Sequence, residues 1–295
     1  MNKMTKEEYT KELLSSYDYK LEHVNKINNS YEAALIKSST NLMTSINIDE
    51  AYQNYLNGED ISNQREWINS NLGTSEMSFA PKDIFKKENI FVAVCNYERN
   101  KEIIDKIPHF MMADLAIYFR FKIDIPLPGE NASTVVNQQM LDYLGITEKD
   151  AMDEAIKNVN SINPLVYMWM DPSVFLDPFS DPKGFIKTYD NVGQMKSGVM
   201  NVVKNQKLGY GAAAIAYPEV MEGIREVIGN FYILPSSINE IIIIAEDMIK
   251  DDEHGKHGED MLRGMIREVN KNEVSDSDFL SDNLYYYNGE FSIAA

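Results

Sequence analysis

The residues of this sequence that could do acid–base chemistry are few and widely spaced. His109 and Asp114 could form a general-base pair if the turn between them brings their side chains together. Ser236 and Ser237 lie between two predicted strands with Glu240 nearby, and a nucleophilic serine would also need a base and an oxyanion donor. No Gly-x-Ser-x-Gly elbow accompanies them. A structural histidine and hydroxyl groups that stabilise a turn are the competing interpretations.

A second group of possible ligands surrounds two histidines. His254 and His257 lie among acidic residues, and histidines with carboxylates can hold zinc or nickel. Gly255 and Gly258 favour a solvated loop over the rigid helix that fixes a paired-histidine site. We therefore predict no metal here. The sequence also lacks a Walker motif, a dinucleotide fingerprint and a set of zinc-binding cysteines, so no cofactor is predicted.

The charge of the sequence limits the partners that it suits. The formal net charge is −18, from 46 acidic and 28 basic residues. A field of that sign repels phosphate backbones and anionic lipids, so direct binding of nucleic acid is not expected. The charge can serve solubility alone, or it can serve recognition of a basic protein partner. An acidic mimic of nucleic acid is a third alternative, which would need carboxylates spaced along one face like phosphates.

Cysteine use and hydropathy favour a cytoplasmic protein. Cys95 is the only cysteine, so an intrachain disulfide is impossible, and its apolar neighbours indicate a buried residue. The segment Met1–Tyr9 is charged and lacks the apolar stretch of a signal peptide. No apolar run approaches the roughly 20 residues that a membrane helix needs. We therefore expect no contact with a membrane.

Periodicity and turn residues divide the chain into four regions. These are an N-terminal region of helices and strands at 1–78, a middle α/β region at 79–162, an irregular Asp-Pro-rich connection at 163–198, and a C-terminal ββαββαβ region at 199–295. The connection is predicted to be irregular because an aspartate before proline disfavours helix. The order of elements predicts an α+β fold with mixed, mostly antiparallel sheets and flanking helices.

The C-terminal region has the clearest pattern. The segments Val199–Lys204 and Gly211–Tyr217 are predicted to pair as a hairpin. Pro218 suits the first turn of a helix and Gly229 suits its end. Two further strands follow, joined by a turn at Pro235. The apolar periodicity predicts a single core cluster. Its predicted members are Ile215, Ile224, Val227, Ile233, Ile242 and Ile244.

Several motifs resemble those of one protein family. The most specific is Leu-Pro-Ser-Ser, which ends at Ser237 and is followed by Glu240; the others are Gly211–Met221, Ile107–His109, Asp114–Ala116, Leu144–Thr147, Arg267–Asn270 and Leu280–Tyr287. With them the sequence resembles the domain of unknown function 5688 family over most of its length, most weakly from Asn163 to Lys196. Because that family occurs in gut clostridia and their relatives, the resemblance implies a bacterial cytoplasmic protein of the same fold. It implies no activity.

These observations predict a non-catalytic, intracellular bacterial protein that acts through protein–protein contact, with a basic protein as partner. The alternative is a hydrolase, for which His109, Asp114, Ser236 and Glu240 would have to converge in one pocket. An exposed apolar or acidic patch would instead favour a binding protein.

Overall fold

The computed structural model describes residues 3–37, 43–73, 81–123, 132–170, 186–249 and 256–294. The chain divides into two compact units, Met1–Asp83 and Ile84–Ala295. The predicted boundary between residues 78 and 79 lies outside the described residues. Each unit has its own β-sheet structure and its own core.

The N-terminal unit combines one small sheet with three helices. Its elements are α1 (Lys6–Leu13), β1 (Tyr19–Lys26), β2 (Asn29–Lys37), β3 (Met43–Asn47), α2 (Ile48–Leu56) and α3 (Ile61–Gly73), with the short α4 (Pro81–Ile84) at the boundary of the units. Helix α1 begins with a capping box, in which Thr5 and Glu8 satisfy each other's backbone N–H groups. The strands pair antiparallel in the order β1-β2-β3.

The core of the N-terminal unit lies between this sheet and the helices. Alternate residues of β2 and β3 point to it, among them Ala34, Ile36 and Ile46, because strand side chains alternate between faces. Tyr9 and Ile68 meet them from α1 and α3 and are fully or almost fully buried. This packing holds the three helices against one face of the sheet.

The C-terminal unit contains two antiparallel sheets. Its elements are β4 (Ile90–Asn96), α5 (Tyr97–Ile104), β5 (His109–Met112), β6 (Leu115–Ile123), β7 (Ala132–Val135), α6 (Gln138–Leu144), α7 (Glu148–Ile162), β8 (Leu165–Met170), β9 (Ile186–Tyr189), β10 (Met200–Asn205), α8 (Pro218–Ile228), β11 (Phe231–Ser237), β12 (Glu240–Ala245), α9 (Lys256–Asn272), β13 (Tyr285–Tyr287) and β14 (Phe291–Ile293). One sheet has the order β4-β6-β5 with β7 on β6, and the other has the order β14-β13-β11-β12-β10-β8-β9. With these antiparallel sheets and flanking helices, the predicted α+β class is confirmed.

The predicted hairpin partner of β10 is wrong. Gly211–Ala216 forms a buried 3-10 helix, and β10 pairs instead with β8 and β12. The run of small side chains lets this segment pack closely, and a Cβ at Gly211 would lie 2.3 Å from the carbonyl oxygen of Asn239. A glycine is required there because the backbones nearly touch.

The predicted single core cluster is also wrong. Ile215, Ile224 and Ile233 belong to the core between the two sheets, but Ile242 and Ile244 face the opposite side of β12 and pack with α9. Both faces of this sheet are buried, so an apolar run does not reveal which residues share a face. Val227 is 39% exposed and belongs to neither cluster.

Other local predictions meet mixed outcomes. Pro218 and Gly229 begin and end α8 as expected. Strands β8 and β9 lie within the stretch that was predicted to be irregular, while the Asp-Pro dipeptides themselves lie outside the described residues. Helix α9 begins at Lys256, so the backbone of His257 is helical where a loop was expected.

Candidate functional site

Asp114 is the best-connected of the predicted site residues. It lies with Ala113 in the two-residue turn between β5 and β6, where Ala113 adopts a positive φ of 54°. Its carboxylate accepts hydrogen bonds from Ser281 Oγ at 2.9 Å, Asn283 Nδ2 at 3.0 Å and Tyr285 Oη at 2.7 Å. Burial raises the pKa of Tyr285, so its hydroxyl remains a donor. These contacts join the turn to the segment that leads into β13.

His109 lies at the other end of the same hairpin. It pairs with Tyr118, whereas Met112 pairs with Leu115 beside the turn, so about 10 Å of strand separates His109 from the turn. Its Nδ1 lies 2.9 Å from the carbonyl oxygen of Ile107, and since a carbonyl only accepts, Nδ1 carries the hydrogen. The described contacts therefore do not join His109 to Asp114 as a general-base pair.

Ser236, Ser237 and Glu240 surround the turn between β11 and β12. The Ser237 hydroxyl accepts a hydrogen bond from the N–H of Asn239 at 3.1 Å, and the Ser236 hydroxyl donates to Glu240 Oε1 at 3.3 Å. No described hydrogen bond connects either serine to His109. The serines thus make the local contacts of a hairpin turn.

Asn239 is a connecting residue that the sequence did not reveal. Its Oδ1 accepts from the N–H of Tyr210 at 3.2 Å, its carbonyl oxygen accepts from the N–H of Gly211 at 3.0 Å, and its Nδ2 donates to Asp278 at 3.2 Å. Asn239, two positions after the Leu-Pro-Ser-Ser motif, therefore joins the hairpin to the 3-10 segment and to the loop before β13.

An open depression of about 680 Å³ lies beside Asp114, and we call it the Asp114 depression. Its charged lining residues are Arg99, Arg267, Lys271, Asp114, Asp276 and Asp282. The other lining residues are Asn96, Asn270, Phe279, Ser281 and Asn283. His109, Ser236, Ser237 and Glu240 do not line it, so it gathers only one of the predicted site residues.

A second cavity, of about 430 Å³, lies within the N-terminal unit, and we call it the Trp67 cavity. It is lined by Leu13, Tyr31, Ser45, Ile46, Asn47, Glu50, Ala51, Asn54, Glu59, Gln64, Trp67 and Ile68. The described residues of this lining include carboxylates and amides but no lysine, arginine or histidine. Trp67 is 57% exposed, although tryptophan usually buries most of its surface.

The two carboxylates of the Trp67 cavity are held by amides. Asn47 Nδ2 lies 3.3 Å from Glu50 Oε2, and Gln64 Nε2 donates to Glu59 Oε2 at 3.1 Å. Neither glutamate forms an ion pair with a described residue. Burial raises the pKa of Tyr9 to about 12, and the negative charge of Glu59 contributes to that rise. The cavity is therefore a site of negative charge beside an exposed aromatic ring.

Sequence analysis did not single out Trp67, Arg267 or Lys271 as functional residues, although signals for them existed. In α3 the apolar stripe runs through Ile61, Ile68 and Leu72, and Trp67 lies off that stripe. In α9 the residues Arg267 and Lys271 are four positions apart and therefore neighbours on one face. A bulky aromatic residue outside a core stripe and a pair of cations in an acidic chain are both unusual enough to be noted.

The described residues contain neither a cluster of metal ligands nor a helix that could cross a membrane. Within the described ranges, no three histidine, cysteine, aspartate or glutamate side chains come together as metal ligands would. His254 and the side chain of His257 lie outside what the structure describes, so the prediction for that pair stays a prediction. None of the described helices is both long enough and apolar enough to cross a bilayer.

Comparison with known proteins places the chain in a family. No curated protein and no solved structure matches it. The model of one family, described as a family of unknown function (DUF5688), matches residues 2–289. That match includes the Leu-Pro-Ser-Ser motif, Asp114 and Trp67. The chain therefore belongs to the DUF5688 family.

Proposed function

We propose that this protein is a non-catalytic binding protein that recognises a basic protein partner, and that the Trp67 cavity receives a lysine or arginine side chain of that partner. The observation that carries the proposal is the position of the exposed Trp67 ring beside Glu50 and Glu59 in a cavity whose described lining residues include no basic residue. The proposal includes a location in the bacterial cytoplasm, which the single cysteine supports.

The chemistry of the cavity suits such a side chain. The exposed Trp67 ring and the half-buried Ala51 belong to the lining and offer an apolar surface for the methylene stem of lysine or arginine. A cation within about 6 Å of a tryptophan face is attracted by the ring quadrupole. Glu50 and Glu59 supply the opposite charge. A lysine or arginine side chain has an apolar stem and a cationic end, so it matches both the apolar and the acidic parts of this lining. A simple metal ion would contact only the acidic part.

The charge of the whole chain supports the same class of partner. A net charge of −18 attracts a basic surface over a longer range than the cavity itself and raises the rate of encounter. At physiological ionic strength that attraction acts over about 8 Å, so the cavity must provide the specificity. The proposed binding is therefore steered by overall charge and selected by Trp67.

Fluorescence of Trp67 tests this proposal directly. The chain has two tryptophans, so Trp169→Phe leaves Trp67 as the only indole. In that background we titrate a synthetic peptide of alternating lysine and alanine, and separately its glutamine–alanine counterpart. We expect a saturable change in emission with the lysine peptide only, weakened roughly tenfold by Glu50→Gln with Glu59→Gln.

A matched control separates the cavity from general attraction. Glu7→Gln with Glu22→Gln removes the same charge from the N-terminal unit at one exposed and one half-exposed position, and neither residue lines the Trp67 cavity. This control should leave the affinity within about twofold of the parent. An equal loss in both double variants, or an equal response to both peptides, would show that the cavity does not select the cation.

A further inference from the structure

The Asp114 depression in the C-terminal unit holds two neighbouring cations on a strongly acidic chain. Arg267 and Lys271 both line it from α9, and both are exposed. Neither forms an ion pair or a side-chain hydrogen bond with any residue in the described part of the chain. Two neighbouring cations without a carboxylate partner are unusual where acidic residues outnumber basic ones by 46 to 28.

The carboxylates of the same depression are already engaged. Asp114 accepts hydrogen bonds from a serine, an asparagine and a tyrosine. Asp276 pairs with Arg99 at 2.8 Å, and Asp282 accepts from Asn270 Nδ2 at 2.8 Å. The formal charges of the lining cancel, but the negative groups have donors while Arg267 and Lys271 remain available. An anion entering the depression would meet these two cations as its first partners.

The walls that hold the two cations are fixed by contacts within the unit. Asn270, between Arg267 and Lys271 on α9, donates to the carbonyl oxygen of Ser281 at 2.9 Å as well as to Asp282. Elsewhere in the lining the Arg99 guanidinium lies 4.3 Å from the centre of the Phe279 ring. These contacts tie α9, α5 and the loop before β13 together, so the site is formed before a ligand arrives and less free energy is lost in ordering it.

We infer that the Asp114 depression is a binding site for a dianionic oxyanion, a phosphate or a dicarboxylate, held by Arg267 and Lys271. The planar guanidinium of Arg267 can donate two parallel hydrogen bonds to either group, and Lys271 supplies a second charge. Lys271 also lies in the last turn of α9, where a cation favours the helix dipole. That role does not account for Arg267, which lies one turn earlier.

Calorimetric titration tests the inference with simple probes. Inorganic phosphate and succinate are each titrated into the full chain at one fixed ionic strength, with chloride in the reference titration. We expect saturable, one-to-one binding of at least one probe, weakened roughly tenfold or more by Arg267→Gln with Lys271→Gln. Tighter binding of phosphate would identify a phosphate site, and tighter binding of succinate a dicarboxylate site.

Two controls decide between a site and general attraction. Lys149→Gln with Lys157→Gln removes two positive charges from α7, away from the depression, and should leave the affinity unchanged. Thermal unfolding reports whether the α9 variants remain folded, and an intact variant that binds as tightly as the parent would overturn the inference. So would the absence of saturable binding of both probes, or an equal loss in the α7 control. Trp67→Phe tests the N-terminal cavity separately and should not change binding of either anion.

Discussion

Tyr285 donates a hydrogen bond to Asp114 at 2.7 Å, although 171 positions separate the two residues in the chain. Asp114 belongs to the turn between β5 and β6, and Tyr285 begins β13 of the other sheet. The contact therefore links the two sheets of the C-terminal unit at one carboxylate. It assigns Asp114, a candidate base in the sequence, to a structural hydrogen-bond network.

The hydrogen bond between Tyr285 and Asp114 predicts that the effects of the two residues on the free energy of unfolding depend on each other. Tyr285→Phe and Asp114→Asn should each lower the free energy of unfolding by about 1–3 kcal/mol, because each leaves half-buried polar groups without their partners. The double variant should lose less than the sum of the two, which denaturant unfolding of all four proteins would measure. Tyr286→Phe is the control, since the Tyr286 hydroxyl bonds to Glu246 and not to Asp114. Strict additivity of Tyr285→Phe with Asp114→Asn would show that the contact contributes nothing.

Ile224 and Val227 on α8 differ in burial, so truncation of each to alanine should affect stability differently. Ile224 is fully buried between the sheets, so Ile224→Ala should cost about 2–5 kcal/mol through lost burial and a cavity. Val227 is 39% exposed, so Val227→Ala should change stability by less than about 0.5 kcal/mol. The midpoints of urea unfolding give both values. A similar cost for both changes would mean that α8 packs with a different face.

The hairpin turn after Pro235 predicts a structural effect of its serines. Ser237→Ala removes the acceptor for the N–H of Asn239 and should cost about 1 kcal/mol. Ser236→Ala should cost less, because it removes only a 3.3 Å contact with the side chain of Glu240. Thermal unfolding measures both, alongside the peptide titration used for the Trp67 cavity. Unchanged melting together with lost peptide binding would move the functional site to this turn.

The buried thiol predicts loss of stability in alkali. Burial raises the pKa of Cys95 from its ordinary value of 9.0 to about 12. The unfolded chain releases this proton first, so the contribution of Cys95 is complete below about pH 9 and falls as the pH rises from there to about 12. Denaturant unfolding between pH 8 and pH 11 should show this slope, and Cys95→Ala should reduce it. Rapid alkylation of the native protein at pH 8 would contradict a buried, protonated thiol.

The sequence determined the elements whose cause is local. Thr5 with Glu8 and Thr147 with Asp150 form the capping boxes of α1 and α7, because the residues that satisfy each helix start are within three positions of each other. Pro218 favours the start of α8 for another local reason, because a proline in the first turn of a helix needs no partner for an N–H. These elements in their order were enough to predict the α+β class. The family could also be recognised, because its motifs are short and contiguous.

Tertiary structure alone decided the pairings and the sites. Gly211–Ala216 has the composition of a strand or a helix, and it became a 3-10 helix because the neighbouring hairpin closes on Gly211. Ile242 and Ile244 pack with α9 and not with the core between the two sheets, because both faces of their sheet are covered. The Asp114 depression depends on contacts between residues more than 160 positions apart, such as Asp114 with Ser281. Local periodicity cannot specify such contacts, because they exist only once the sheets have packed.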